Sequence, residues 1–243
     1  MGKKRADVVL VERGLFDSRA RARAAIEAGG VIADGRSVSK PSDMIEEAAE
    51  ISAVAAHPSV GRGALKLVHA LGLWPVLIEG RTVLDVGAST GGFTEVCLER
   101  GAARVYAVDV GRGQLHPKLA GDPRVVSLEG VDARELTPAL IPMAPDLIVT
   151  DVSFIGLAKA LPRALGLAMR GASLIALVKP QFEVGPHAVG KGGVVKDEAA
   201  RAKALEDVAA FLREGGWIVR ETTTSPIVGG DGNIEHLLWA QKA

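Results

Sequence analysis

The 243-residue sequence contains one cysteine, no long hydrophobic run and no excess of either charge. Because Cys97 has no partner cysteine, no disulfide can form within the chain, which is typical of proteins of the reducing cytosol. The strongly apolar runs, such as residues 172–178, are far shorter than the roughly 20 residues that span a bilayer. Asp7, Glu12 and Arg13 interrupt the N-terminal sequence, which therefore lacks the apolar core of a signal peptide. We expect a cytoplasmic protein without a membrane segment.

The formal net charge of +0 indicates no partner, but the charges are unevenly distributed. Residues 1–40 contain nine basic and five acidic side chains, a net charge of +4. A basic end on a neutral protein is typical of a nucleic-acid-binding arm. The five histidines are scattered and show no spacing typical of metal ligands, so we expect no metal site.

The most informative stretch is residues 82–93, Thr-Val-Leu-Asp-Val-Gly-Ala-Ser-Thr-Gly-Gly-Phe. Its apolar start predicts a buried strand at residues 83–86, and helical spacing begins at Phe93. Three glycines lie between them and are expected to let the backbone approach a ligand closely. A strand, a glycine turn and a helix in this order predict a site for a nucleotide-like cofactor.

Strands and helices alternate after this stretch, which predicts a parallel sheet with helices on both faces. Further strands are expected at residues 104–108, 125–128, 146–150 and 172–178, with a closing antiparallel pair at 217–223 and 235–240. Helices are expected at Phe93–Arg100, Leu161–Met169 and Glu198–Glu214. Asp109, Asp151 and Lys179 each follow a predicted strand, and ligands of open α/β sheets bind at that edge.

The glycine turn departs from the dinucleotide-binding pattern because Ser89 occupies the place of the middle glycine. Asp85, two residues before the first glycine, would suit a cationic ligand better than a pyrophosphate. The turn resembles motif I of S-adenosylmethionine-dependent methyltransferases. Asp109 suits hydrogen bonds to ribose hydroxyls, equally in NAD, and Asp132 matches the position that contacts the adenine amino group in this class. The predicted cofactor-binding residues are Asp85, Gly87, Ala88, Ser89, Thr90, Gly91, Gly92, Phe93, Asp109, Asp132 and Asp151.

The first 54 residues predict a small module of two helices, residues 6–13 and 19–28, followed by short strands. Its segments Arg5-Ala6-Asp7, Ser18-Arg19, Ala22-Arg23 and Gly29-Gly30-Val31 resemble the α-L RNA-binding domain of a ribosomal small-subunit protein and of pseudouridine synthases. That resemblance implies RNA contacts for Arg19 and Arg23. We further expect RNA contacts from Arg5, Arg62 and Lys191, the last in a glycine-rich lid or RNA-facing loop at residues 185–193.

Four residues lie in segments unusual for a scaffold: Lys66 in Gly-Ala-Leu-Lys-Leu, Asp151 in Thr-Asp-Val-Ser-Phe, Lys179 in Val-Lys-Pro-Gln-Phe-Glu and Glu235 in Gly-Asn-Ile-Glu-His. Together they resemble the catalytic tetrad of FtsJ-type RNA ribose 2′-O-methyltransferases. With the N-terminal module and the segment Gly-Lys-Gly-Gly-Val-Val, the whole chain resembles the TlyA family, also called hemolysin A. The resemblance implies an α-L domain at residues 1–54, a linker at 55–62 and a Rossmann-like methyltransferase domain at 63–243.

This resemblance implies 2′-O-methylation of cytidine ribose in ribosomal RNA of either or both subunits, with S-adenosylmethionine as methyl donor. It makes Lys179 the base, Lys66 the group that polarises the hydroxyl, and Asp151 and Glu235 the groups that orient the lysines. An amine accepts the hydroxyl proton only when its pKa lies well below about 10.4. Two alternatives remain: a membrane-active hemolysin, and an NAD-dependent oxidoreductase.

Overall fold

The computed structural model of the protein describes residues 2–27, 30–53, 59–229 and 231–243. It divides the chain into two units, residues 1–61 and 62–243. The first half of the linker predicted at residues 55–62, residues 55–58, lies outside the described residues. Among the described helices, none is long and apolar enough to cross a membrane.

The described residues of the smaller unit form two helices and five very short strands, all within residues 3–53. Its elements are β1 (Lys3–Arg5), α1 (Ala6–Glu12), α2 (Arg19–Glu27), β2 (Val31–Ala33), β3 (Arg36–Ser37), β4 (Met44–Glu46) and β5 (Ile51–Ala53). β1 pairs with β4, and β2 lies between β3 and β5, all antiparallel. Leu10, Ile26 and Val31 are fully buried between the helices and strands. The predicted end of the second helix, Ala28, lies outside the described residues.

The larger unit alternates strands and helices, as its sequence predicts. Its strands are β6 (Thr82–Val86), β7 (Arg104–Asp109), β8 (Val125–Glu129), β9 (Leu147–Thr150), β10 (Ser173–Val178), β11 (Trp217–Thr224) and β12 (His236–Lys242). Its α-helices are α3 (Ala64–Leu73), α4 (Gly92–Glu99), α5 (Pro117–Ala120), α6 (Leu157–Ala160), α7 (Pro162–Leu167), α8 (Pro180–Glu183) and α9 (Glu198–Glu214). Two 3₁₀ turns occupy Ala133–Glu135 and Pro186–Ala188.

In the described part of the larger unit, seven strands form one sheet in the order β11-β12-β10-β9-β6-β7-β8. The five strands from β10 to β8 are parallel, and β12 is antiparallel to both of its neighbours. Alternate residues of a strand face opposite sides of a sheet, and Val83 and Leu84 are both fully buried. Both faces of the sheet are therefore covered, as parallel sheets require.

One predicted helix differs from the structure. Residues 161–169 were expected to form a single helix, but α6 begins earlier, at Leu157, and α7 starts afresh at Pro162. A proline has no backbone N–H to donate within a helix but is well suited to the first helical position. The sequence interpretation therefore missed the boundary that Pro162 sets.

Candidate active site

In the turn between β6 and α4, backbone conformation and close packing require glycine at two positions. Gly87 and Gly91 have positive φ angles of 84° and 96°, which favour glycine. A Cβ atom on Gly87 would lie 3.0 Å from the Cα of Val152, and one on Gly91 would lie 2.3 Å from the Cδ1 of Leu119. Local packing therefore requires glycine at both positions, and the expectation that the turn lets the backbone approach a ligand stays a prediction.

Asp109 connects this turn to the loop after β7. Its two carboxylate oxygens accept hydrogen bonds from the backbone N–H groups of Ser89 at 2.8 Å and Gly111 at 2.7 Å. Ser89 itself has a positive φ of 48°. A carboxylate oxygen can accept more than one hydrogen bond, so Asp109 retains acceptor capacity toward a ligand.

A cavity of about 720 Å³ opens at the carboxyl ends of β6, β7 and β9. Five predicted cofactor-binding residues line it: Gly87, Ser89, Asp109, Asp132 and Asp151. The volume and the mixture of apolar walls with a few carboxylates are typical of small-molecule sites. These residues fit a ligand with ribose hydroxyls and an amino group, because carboxylates accept hydrogen bonds from both.

The other six predicted cofactor-binding residues are placed differently in the part of the chain that the structure describes. Asp85, Ala88, Gly91, Gly92 and Phe93 are buried, Thr90 is exposed, and none of them lines the cavity. Sequence reasoning missed Gln114, Ser153 and Phe154, which do line it. Ser153 and Phe154 belong to the segment Thr-Asp-Val-Ser-Phe that the sequence singled out for Asp151, so their position after β9 was the available signal.

Asp85 is the most perturbed carboxyl of the site. It is fully buried, and its Oδ2 accepts a hydrogen bond from the Thr94 hydroxyl at 2.7 Å. Its Oδ1 has no hydrogen-bond partner among the described residues. Burial raises the pKa of Asp85 to about 7, and the nearby charge of Asp151 adds to that effect. Asp85 lies beneath the turn, so the expectation that it faces a cationic ligand directly is not supported by this geometry.

The four residues of the predicted tetrad come together at the same edge of the sheet. Lys66 Nζ lies 2.6 Å from Glu235 Oε2 and 3.9 Å from Asp151 Oδ2. Lys179 Nζ lies 2.6 Å from Asp151 Oδ1. Asp151 therefore lies between the two lysines, and the order of contacts is Glu235, Lys66, Asp151, Lys179.

The sheet register explains this meeting of residues that are far apart in sequence. Thr150 and Ala176 are partners in the parallel β9–β10 pair, so Asp151 and Lys179 both emerge at the carboxyl edge. Val178 and His236 are partners in the antiparallel β10–β12 pair. The residue before β12, Glu235, therefore arrives at the edge where the residues after β9 and β10 lie.

The tetrad is shielded from solvent and balanced in charge. Lys66, Lys179 and Glu235 are 7%, 8% and 2% exposed, and Asp151 is half-buried. Two cations beside two anions compensate one another where water is largely excluded. Lys179 Nζ also donates a hydrogen bond to Ser153 Oγ at 2.7 Å, a contact that the sequence interpretation did not include.

The predicted RNA-contacting residues of the smaller unit differ in whether their side chains already bind a carboxylate of the protein. Arg5 and Arg19 both hydrogen-bond the fully buried Asp7, at 3.0 Å and 2.7 Å. The Arg5 hydrogen bond, aided by Arg19, holds the pKa of Asp7 at about 2. Arg23 is exposed on α2, one helical turn beyond Arg19. In the larger unit, Arg62 and Lys191 are exposed.

Two family models match the chain. An FtsJ-like methyltransferase model matches residues 59–242, and an S4 domain model matches residues 4–51. The 16S/23S rRNA (cytidine-2′-O)-methyltransferase TlyA of Mycobacterium tuberculosis is 48% identical over 239 residues, which are 98% of this chain and 89% of that protein. The chain belongs to the TlyA family of FtsJ-like methyltransferases. Its N-terminal unit is thus an S4 domain, in agreement with the resemblance found in the sequence.

Solved structures agree with this family. A protein of Streptococcus thermophilus named as a hemolysin is 40% identical, with a TM-score of 0.80 over 100% of this chain and 90% of that chain. The fibrillarin of Aeropyrum pernix, solved with bound S-adenosylmethionine, has a TM-score of 0.51 at 18% identity over 73% of this chain and 76% of that chain. At that identity the likeness concerns the fold, which is the Rossmann-like methyltransferase fold that the sequence predicts.

Proposed function

We propose that this protein transfers a methyl group from S-adenosylmethionine to the 2′-oxygen of a cytidine ribose in ribosomal RNA. The observation that carries the proposal is the Lys66–Glu235–Asp151–Lys179 array at one edge of the sheet, which includes a residue that lines the cavity. The name of the M. tuberculosis relative supports ribosomal RNA and cytidine as the substrate. Ribosomal RNA would place the reaction in the cytoplasm, on the small subunit, the large subunit or both.

The cavity residues fit the methyl donor. Asp109 and Asp132 would bind its hydroxyl and amino groups, and Gly87 and Ser89 would lie along it. When bound, S-adenosylmethionine supplies a methyl group that its sulfonium already makes electrophilic. The protein then has to align the acceptor oxygen and remove its proton. No described group of three or more His, Cys, Asp or Glu residues could hold a metal ion, and this chemistry requires none.

The two lysines have different roles in activating the 2′-hydroxyl. Lys179 is the general base: its Nζ, which Asp151 and Ser153 hold in place at 2.6 and 2.7 Å, accepts the proton of the 2′-hydroxyl. Lys66, held by its hydrogen bond to Glu235, donates a hydrogen bond to the ribose oxygen as negative charge develops there. Glu235 and Asp151 position the lysines and compensate their charge.

The experiment compares ribose methylation of purified 30S and 50S subunits by the wild type, Lys179→Met and Lys203→Met. Lys203 lies on the exposed surface of α9 and serves as the matched control. We expect Lys179→Met to lose at least about 100-fold in kcat while it still binds S-adenosylmethionine in calorimetry. Lys203→Met should match the wild type. If neither subunit gains a 2′-O-methyl group from the wild type, the proposed function is wrong.

A lysis assay separates this function from the hemolysin that the S. thermophilus name suggests. Lysis of erythrocytes that is equal for the wild type and Lys179→Met, and independent of the methyl donor, would favour a membrane activity. The same calorimetry with NAD tests the oxidoreductase alternative, which tight NAD binding without binding of S-adenosylmethionine would support.

A further inference from the structure

Asn233 is a fully buried polar residue whose side chain joins two segments at the catalytic edge. Its Oδ1 accepts a hydrogen bond from the Val195 N–H at 2.9 Å, and its Nδ2 donates one to the Gly193 carbonyl at 2.9 Å. Both ends of the amide are therefore used by one segment of backbone. Only an amide supplies an acceptor and a donor in this arrangement, because a carboxylate would face the Gly193 carbonyl with a second acceptor.

The segment that Asn233 holds is a defined turn. Gly193 N–H donates to the Gly190 carbonyl at 3.1 Å, which closes a four-residue turn with Lys191 and Gly192 at its centre. Gly192 has a φ of 83°, the positive value that the third position of a type II turn requires. The Lys191 side chain is exposed at this turn. The loop expected to be a lid or to face RNA thus contains a hydrogen-bonded turn at its lysine.

Asn233 also belongs to the segment that delivers Glu235. Its carbonyl accepts a hydrogen bond from the Gly229 N–H at 2.9 Å, and the Glu235 carbonyl accepts one from the Ser225 N–H at 2.9 Å. A Cβ atom on Gly229 would lie 2.6 Å from Glu235 Oε1, so this segment fits closely around the catalytic carboxylate. The lysine turn and the segment of Glu235 are therefore both joined to Asn233, the turn through its side chain and the Glu235 segment through its backbone.

We propose that Asn233 is a positioning residue for the RNA substrate: it holds Lys191 at a fixed place relative to Glu235, so that Lys191 binds an RNA phosphate beside the catalytic tetrad. The inference rests on the proposed function, because it takes RNA as the substrate. A lysine that is held in position binds a phosphate with less loss of conformational entropy than one on a free loop. None of the described residues that line the cofactor cavity belongs to residues 190–195 or 233–235, so cofactor binding should not depend on Asn233.

The test measures the KM and kcat of methylation and, separately, the Kd for ribosomal subunits, for Asn233→Asp, Lys191→Ala and the double variant. We expect Asn233→Asp to raise KM and Kd about tenfold, since a hydrogen bond is replaced by two facing acceptors. The Kd of the double variant should not exceed that of the single variant that binds more weakly, because Asn233 acts through Lys191. Lys196→Ala, which removes an exposed charge from the same segment, is the matched control and should leave Kd unchanged.

Gly192→Ala disturbs the turn and leaves Asn233 unchanged. It therefore tests the inference even if Asn233→Asp fails to fold. Its Cβ would meet open space, so its effect comes from the positive φ alone, and we expect the same rise in Kd. Circular dichroism and calorimetry with S-adenosylmethionine show that each variant is folded. Effects of Asn233→Asp and Lys191→Ala that multiply in the double variant, or an unchanged Kd for Gly192→Ala, would overturn the inference while the proposed function stands. A wild type that neither binds nor methylates ribosomal subunits would overturn both.

Discussion

The carboxyl group of Asp85 gives the turn after β6 a measurable dependence on pH. In the folded protein this group is fully buried, and burial raises its pKa from 3.8 to about 7. Between these two values the folded protein holds a proton that the unfolded chain has released. The stability that Asp85 contributes is therefore fully present below pH 3.8 and is lost as the pH rises through about 7.

The size of this effect follows from the shift in pKa. One pH unit over which one extra proton is bound changes the free energy of unfolding by about 1.4 kcal/mol. Between pH 5 and pH 8 the folded protein holds this proton over about two pH units, so ionisation of Asp85 should destabilise the fold by about 2–3 kcal/mol. Asp85→Asn removes this ionisation and keeps an oxygen that can accept the Thr94 hydrogen bond.

The assay is urea unfolding of the wild type and Asp85→Asn at pH 5 and pH 8, followed by tryptophan fluorescence. All three tryptophans lie in the larger unit, so the signal reports the unit that contains Asp85. The stability of the wild type relative to the variant should fall by about 2–3 kcal/mol from pH 5 to pH 8. Asp231→Asn, at an exposed position of the larger unit, should differ from the wild type equally at both pH values. Parallel profiles for the wild type and Asp85→Asn would refute the reasoning.

Three further predictions concern other parts of the chain. Arg23→Ala should weaken binding to ribosomal RNA and reduce the slope of log K against log salt by about 1. Binding titrations at several salt concentrations measure this slope. A slope equal to that of the wild type would contradict a phosphate contact. Gly91→Ala should lower the free energy of unfolding by about 2–4 kcal/mol in urea titrations, and Gly113→Ala by about 1 kcal/mol. Both glycines have a positive φ, but only at Gly91 would a Cβ atom meet neighbouring atoms. Equal losses for the two variants would show that crowding is unimportant. Asp7→Asn should destabilise the smaller unit at pH 7, and this loss of stability should vanish as the pH falls through about 2, because the Arg5 hydrogen bond lowers the pKa of Asp7 to about 2. Hydrogen exchange at several pH values measures the stability of both proteins. A loss of stability that persists at the lowest pH would contradict the prediction.

The fold was predictable where the pattern of apolar residues was strong. The central strands of the larger sheet, β6, β7, β9 and β10, are short runs that are buried on both faces, and each predicted strand of this sheet is present within one or two residues. β1, which precedes both helices, was missed because Lys3–Arg5 contains no apolar residue that would indicate a buried face. The break at Pro162 was missed because the apolar pattern continues through it.

The candidate site was predictable at the level of residue types and strand ends. Lys66 was assigned through family resemblance, since a lysine in the first turn of a helix carries no signal of its own. The orientation of Asp85, the hydrogen bond from Lys179 to Ser153 and the anchoring of the 190–193 turn depend on side-chain packing. Contacts of this kind join residues from different elements and leave no periodic trace in the sequence.

The antiparallel course of β12 has a consequence for folding. Lys66 and Glu235, which it brings together, are 169 positions apart, so their ion pair forms only after most of the larger unit has folded. Closing so long a loop is entropically unfavourable until the strands between have paired. A partly folded chain can therefore have a formed cofactor cavity at β6, β7 and β9 and yet lack the catalytic array. Recovery of methyl transfer during refolding would thus follow recovery of cofactor binding, and catalytic competence would be among the last properties that the chain acquires.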